Sequence, residues 1–144
     1  MEVGPVIVNK VRVLIADDHE GILARVRTVL DREFDIVGVV NNGRDALAEV
    51  RRLDPEVLVI DIAMPILDGL RTVSLLGDNR RAKVVFLTLY NDRAFVAAAF
   101  SAGASAYVLK SDIAADLAPA IRAALQGHRY VSRSIASTNS SEAS

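Results

Sequence analysis

The 144-residue chain contains no cysteine. That excludes disulfides and thiolate metal sites, and it leaves the redox compartment open. Net charge is nearly absent as well: 17 Lys and Arg against 18 Asp and Glu give −1. No global field therefore draws the chain to DNA phosphates or to an anionic membrane, and only a local patch could do so. No apolar run approaches the roughly 20 residues that span a bilayer. The opening MEVGPVIVNK has neither the charged lead nor the apolar stretch of a signal peptide. The cytoplasm is the expected location, with no membrane partner. Neither G-x-x-x-x-G-K-S/T nor G-x-G-x-x-G occurs, which disfavours a nucleotide-binding enzyme.

What is present is the composition of a globular protein, 51% hydrophobic and 24% charged. The length suits one domain with one sizeable core. Short apolar runs recur at a steady beat: VRVLIA (11–16), DIVGVV (35–40), VLVID (57–61), KVVFLT (83–88) and AYVLK (106–110). They are mostly aliphatic, as strands covered on both faces are. Amphipathic segments fill the gaps. Ile22, Val26, Val29 and Leu30 share one helix face; Ala46, Leu47, Val50 and Leu53 share another, with Asn42 placed to cap it. A third helix is expected from near Leu67 to Gly77, a fourth to end at Gly103, and a fifth to end at Gly127. Alternating strands and helices predict an α/β fold with a parallel sheet and right-handed crossovers. Five strands and five helices fit the flavodoxin-like three-layer sandwich, order 2-1-3-4-5, better than a six-stranded dinucleotide fold. The domain is expected over 9–130. Residues 131–144, rich in Ser, Ala, Asn and Thr, read as a flexible tail or the start of a linker.

In such sheets ligands sit beyond the carboxyl ends of the strands. Asp17 and Asp18 follow the first run, Asp61 ends the third, Thr88 the fourth and Lys110 the fifth. Adjacent carboxylates repel, so a cation is expected to hold them together. Hard oxygen donors point to Mg²⁺, with Ca²⁺ and Mn²⁺ as poorer alternatives. A hydroxyl and an ammonium beside a metal-bound carboxylate suit a phosphoryl group. Each feature also has a plain reading: a turn with a helix cap, a β-branched strand residue, a surface lysine. Five such groups at strand ends together outweigh those readings. His19 reads as a polar residue opening the first helix rather than as a ligand.

The motifs ADDH, VLVIDIAMPILDGL, VVFLT and GASAYVLKS resemble the receiver domain of two-component response regulators, the CheY-like family. The segment running on to HRYVS is similar to receivers fused to LuxR-type helix-turn-helix output domains. The resemblance covers about Val11 to Tyr130. It implies Asp61 as phosphoacceptor for a sensor histidine kinase, and Asp17, Asp18 and Asp61 with the Ala63 backbone carbonyl as Mg²⁺ ligands. It implies Thr88 and Lys110 as contacts to the phosphoryl oxygens, and Tyr107 as a switch residue that follows Thr88. It assigns Gly69 to a close backbone approach. DNA would be reached only through an output domain not present in the sequence, in the service of transcription regulation, and a homodimer would form on phosphorylation. The chain would not be an enzyme beyond autocatalytic phosphotransfer and self-dephosphorylation. Two alternatives stand beside this reading. One is a phosphorylation-independent docking module. The other is a Mg²⁺-dependent phosphatase, against which Ala63 stands where a second aspartate is usual.

Two residues depart from the pattern. Leu89 stands where receivers carry a small residue and would narrow the route to the acceptor. Pro119 falls inside the last helix, where an interior proline costs about 3 kcal/mol. Either a kink or a late helix start capped by Asp116 would relieve it.

Overall fold

The computed structural model describes residues 9–78 and 80–135. Six strands form one parallel sheet in the order β2-β1-β3-β4-β5-β6. They are β1 (Val11–Ala16), β2 (Phe34–Val40), β3 (Val57–Ile60), β4 (Lys83–Thr88), β5 (Ala106–Leu109) and β6 (Tyr130–Val131). The helices are α1 (Glu20–Leu30), α2 (Gly43–Leu53), α3 (Gly69–Leu76), α4 (Arg93–Ser101) and α5 (Ala118–Leu125). The expected 2-1-3-4-5 order is present, and a sixth strand extends it.

Side-chain alternation along each strand divides the core between two faces. Leu14, Leu58, Ile60, Val84, Phe86 and Tyr107 pack with α2, α3 and α4 through Ala46, Val50, Val73 and Ala99. Val13, Ile15, Val57, Val59, Val85 and Val108 pack with α1 and α5 through Val26, Leu30, Ile121 and Ala124. Burying each such aliphatic side chain contributes about 1.5–3 kcal/mol before conformational entropy opposes it. Both faces are covered, so the strands are apolar along most of their length, with Arg12, Asp35 and Lys83 confined to their N-terminal ends. Among the described residues no helix is long and apolar enough to cross a membrane.

Helix boundaries follow local chemistry. Asn42 caps α2 by accepting the Asp45 N–H at 2.9 Å. Asp68 accepts the Arg71 N–H at 2.8 Å, which starts α3 at Gly69 rather than near Leu67. Gly103, just beyond the end of α4, has φ +109°, a conformation that side chains resist.

Pro119 is accommodated by the late helix start, one of the two expected routes, but without the expected Asp116 cap. A tight 3₁₀ turn (Lys110–Asp112) and a π-helical turn (Ile113–Leu117) precede α5, leaving the proline in the first turn of that helix. The wider π turn makes room for a residue that has no N–H to donate. Asp116 does not cap α5. It is 1% exposed, and its carboxylate accepts the Tyr130 hydroxyl at 2.7 Å and the Arg133 N–H at 3.3 Å. The ordered fold continues five residues past Tyr130. Val131 pairs with Tyr107, and Ile135 is 3% exposed. Residues 136–144 of the expected tail lie outside the described residues.

Candidate functional site

The sheet order brings the C-terminal ends of β1 and β3 side by side. Asp61 N–H donates to Ala16 O at 2.9 Å, and Asp17 N–H donates to Val40 O at 3.0 Å. These ladder bonds run one residue past each strand and fix both aspartates at the crevice where the chain order reverses. Asp17 is 1% exposed and Asp61 2%. Asp18, the next residue along, turns outward with about a third of its side chain exposed.

Lys110 follows β5 and reaches back across the crevice, 2% exposed. Its ammonium donates to Asp61 Oδ2 at 2.9 Å. It also lies 3.0 Å from Asp17 Oδ2, close enough for charge attraction but off the hydrogen-bonding direction. Asp17 Oδ2 is therefore a buried oxygen with no hydrogen-bond donor.

Three carboxylates and one ammonium leave the crevice with an excess of negative charge. Burial pushes the Asp61 carboxyl above its ordinary range; the Lys110 ammonium opposes that rise and the nearby Asp17 charge adds to it. For Lys110, burial works to lower the pKa, but the bond to Asp61 and the close negative charges of Asp61 and Asp17 outweigh it and hold the ammonium above its ordinary value. Lys110 is thus charged, and any further positive charge in the crevice would favour the ionised form of Asp61.

His19 belongs to the cluster, which the sequence reading did not expect. Its Nδ1 lies 3.1 Å from Asp17 Oδ1, 3.2 Å from Asp18 Oδ1, 3.9 Å from Asp61 Oδ2 and 3.1 Å from Lys110 Nζ. Its backbone N–H also donates to Asp17 Oδ1 at 2.9 Å. The signal was its place directly after the aspartate pair, where a bond back to Asp17 turns the ring inward. Ligand atoms of Asp17, Asp18, His19 and Asp61 all lie within 4.8 Å of one another, so the group could hold a metal ion. Ala63 lies in the exposed loop after β3, and its N–H donates to Asp61 Oδ1 at 3.3 Å.

Thr88 and Tyr107 are both fully buried and connect to each other through the loop after β4. Thr88 Oγ1 accepts the Tyr90 N–H at 3.3 Å, and the Tyr107 hydroxyl donates to Tyr90 O at 2.6 Å. The Thr88 hydroxyl is engaged with that loop rather than with the acid cluster. Burial, and then the Asp92 and Asp61 charges, push the Tyr107 hydroxyl above its ordinary pKa, so it remains a donor. Leu89, beside Thr88, is 71% exposed. Gly69 supports the acceptor directly: a Cβ there would lie 2.1 Å from Asp61 O.

Comparison with known proteins agrees with this arrangement. The profile described as response regulator receiver domain matches residues 13–122. The transcriptional regulatory protein YvfU of Bacillus subtilis is 35% identical over 125 residues, covering 85% of this chain and 62% of that protein. The response regulator GacA of Pseudomonas viridiflava is 34% identical over 129 residues, covering 88% and 60%. The chain thus spans about three fifths of the length of these relatives. Among solved structures, a LuxR-family two-component response regulator from Aurantimonas superposes with TM-score 0.85 at 30% identity, covering 92% of this chain and 97% of that one. The isolated receiver of RcsB from Salmonella enterica, solved with a beryllofluoride phosphomimetic, gives 0.80 at 26% identity, covering 89% and 97%. Sheet order, buried acid pair and sequence likeness converge: the chain belongs to the response regulator receiver domain family.

Proposed function

We propose that Asp61 accepts a phosphoryl group and that the resulting change at the strand ends regulates whatever the chain is joined to. The observation that carries this reading is the Lys110 ammonium, buried between Asp61 and Asp17, beside an Asp17 oxygen with no hydrogen-bond donor. Here the charges remain unbalanced and the orphan oxygen faces them.

The donor set fits a divalent cation. Mg²⁺, by its preference for hard oxygens, would be held by Asp17, Asp18 and Asp61 with the Ala63 carbonyl, and when bound it neutralises charge on phosphoryl oxygens. The chain's own residues do the rest. An Asp61 carboxylate oxygen forms a bond to phosphorus as the donor's P–N or P–O bond breaks, its electron pair leaving with the donor. Lys110 follows the charge on to a phosphoryl oxygen, and Thr88 turns its hydroxyl to donate to another. The work is positioning and charge stabilisation, which is most of what phosphoryl transfer requires. A histidine kinase as donor, self-dephosphorylation, and dimerisation on phosphorylation belong to the same reading. DNA binding and transcription regulation would lie in the two fifths of the relatives' length that this chain does not span.

The test is labelling. The chain is incubated with Mg²⁺ and acetyl phosphate, or with a histidine kinase and ATP, and peptide masses are measured. One phosphoryl increment on the Asp61 peptide is expected, lost in Asp61→Asn. No increment where a control receiver is labelled would leave a docking module. Many phosphates released per chain would indicate a phosphatase, a reading Ala63 already disfavours.

A further inference from the structure

The chain beyond α5 does not leave the domain at the helix end. It turns back and runs beside β5 through Tyr130–Val131, pairing Ala106 with Tyr130 and Tyr107 with Val131. Ser132 then grips β5 at two points. Its N–H donates to Tyr107 O at 2.9 Å, and its hydroxyl oxygen accepts the Leu109 N–H at 2.8 Å. Ile135 packs into the cluster that contains Tyr107 and Leu109. On the other side Asp116, presented by the π turn, holds the Tyr130 hydroxyl and the Arg133 N–H, and Ser134 donates to Asp112.

Two routes lead from these grips to the acceptor. Leu109 is followed directly by Lys110, whose ammonium lies on Asp61. Tyr107 is joined through its hydroxyl to Tyr90 O, and the Tyr90 N–H rests on Thr88. Both Lys110 and Thr88 must re-aim when a phosphoryl group occupies Asp61. Lys110 has to follow the charge outward, which pulls on the peptide that Ser132 holds. Turning Thr88 takes its oxygen from the Tyr90 N–H and frees the loop that holds Tyr107. The segment is held by a few hydrogen bonds and one fully buried aliphatic side chain, so differential binding at the site is enough to shift it.

We propose that Tyr130–Ile135 is a strap docked on β5 in the unphosphorylated state and loosened by phosphorylation, so that chemistry at Asp61 controls whether this segment stays on the domain. The inference rests on the phosphoacceptor reading. By thermodynamic reciprocity, weakening the strap makes the phosphorylated state easier to reach by the same factor, on the order of tenfold.

Hydrogen–deuterium exchange on the full chain tests it, with Mg²⁺ alone and with Mg²⁺ plus beryllofluoride as the phosphoryl probe. Exchange over 130–135 and at the Leu109 amide should quicken on the order of tenfold with the probe, while the loops at 61–69 and 88–92 become protected. Protected loops with an unchanged or slower strap would overturn the strap and leave the acceptor standing. Loops indifferent to the probe would overturn both. Two variants check reciprocity from opposite ends, Ser132→Ala and Tyr130→Phe. Each should bind beryllofluoride more tightly than wild type, and a wild-type affinity in both, with strap exchange already fast, would refute the coupling.

Discussion

Replacing Gly69 with alanine probes how the acceptor is held. Gly69 opens α3, and its N–H donates to Ile62 O at 2.7 Å. A Cβ there would meet Asp61 O at 2.1 Å, Asp61 C at 2.9 Å and Ile62 Cα at 3.0 Å. All three are backbone atoms, so no side chain can swing aside. Real Cβ contacts essentially never fall below 3.0 Å, so the helix and the strand end must part by about an ångström. Overpacking of that kind costs roughly 1–3 kcal/mol, and stretching the Gly69 hydrogen bond adds about 0.5–1.5 kcal/mol. For a domain of this size a loss near 3 kcal/mol lowers Tm by roughly 10 °C. The displaced residue is the acceptor itself, and misplacement by an ångström costs about 100-fold in rate. Calorimetry and the initial rate of acetyl phosphate labelling measure the two effects, the second at a temperature where the variant is folded. Gly21→Ala is the control, because its Cβ meets nothing within 4 Å and it lies in α1; it should gain about 0.5–1 kcal/mol and label normally. A Gly69→Ala protein that is destabilised yet labels at the wild-type rate would show that the close approach serves packing and not the position of Asp61.

Two further outcomes follow from the charge balance. Asp61→Asn should raise the Tm of the metal-free protein at pH 7, because the folded-state pKa of Asp61 lies above its unfolded value and its ionised form is penalised in the fold. That penalty is complete above the folded pKa and disappears as pH falls towards the ordinary carboxylate range, so the gap in Tm should close on acidification; a gap independent of pH would contradict it. Asp18→Ala should weaken Mg²⁺ or Mn²⁺ binding by about tenfold or more in titration while the metal-free protein stays folded; unchanged affinity would remove Asp18 from the cation site.

The runs at 11–16 and 83–88 coincide with β1 and β4, and the other three strands differ from their runs by a residue at one end. They were legible because strands buried on both faces are mostly aliphatic. Asn42 was legible as a cap, and Gly103 as a helix terminator, because each acts through chemistry local to its own turn. The crevice was legible because the crossover rule sends every strand's C-terminus to one edge, so Asp17, Asp61 and Lys110 meet there, with Thr88 at the end of the neighbouring β4, without any contact being foreseen. What escaped depends on contacts distant in sequence. β6 is two residues long and has no pattern of its own; it exists because the edge of β5 pairs with it. The role of Asp116 depends on Tyr130 and Arg133 arriving 14 and 17 residues later. The exposure of Leu89 is set by the path of a loop, which apolar periodicity does not encode.

The short sixth strand has a consequence for handling the protein. β5 is buried along its whole length, Ala106 to Leu109, with Tyr107 and Val108 fully enclosed. Without β6 it would be an apolar strand with unpaired N–H and C=O groups along one side, a template on which another chain can add. A chain cut at Gly127, where α5 has ended and a domain boundary would naturally be drawn, keeps the receptive edge and discards its cover. Such a fragment should form intermolecular sheet and precipitate on storage, whereas one ending after Ile135 keeps the edge sealed.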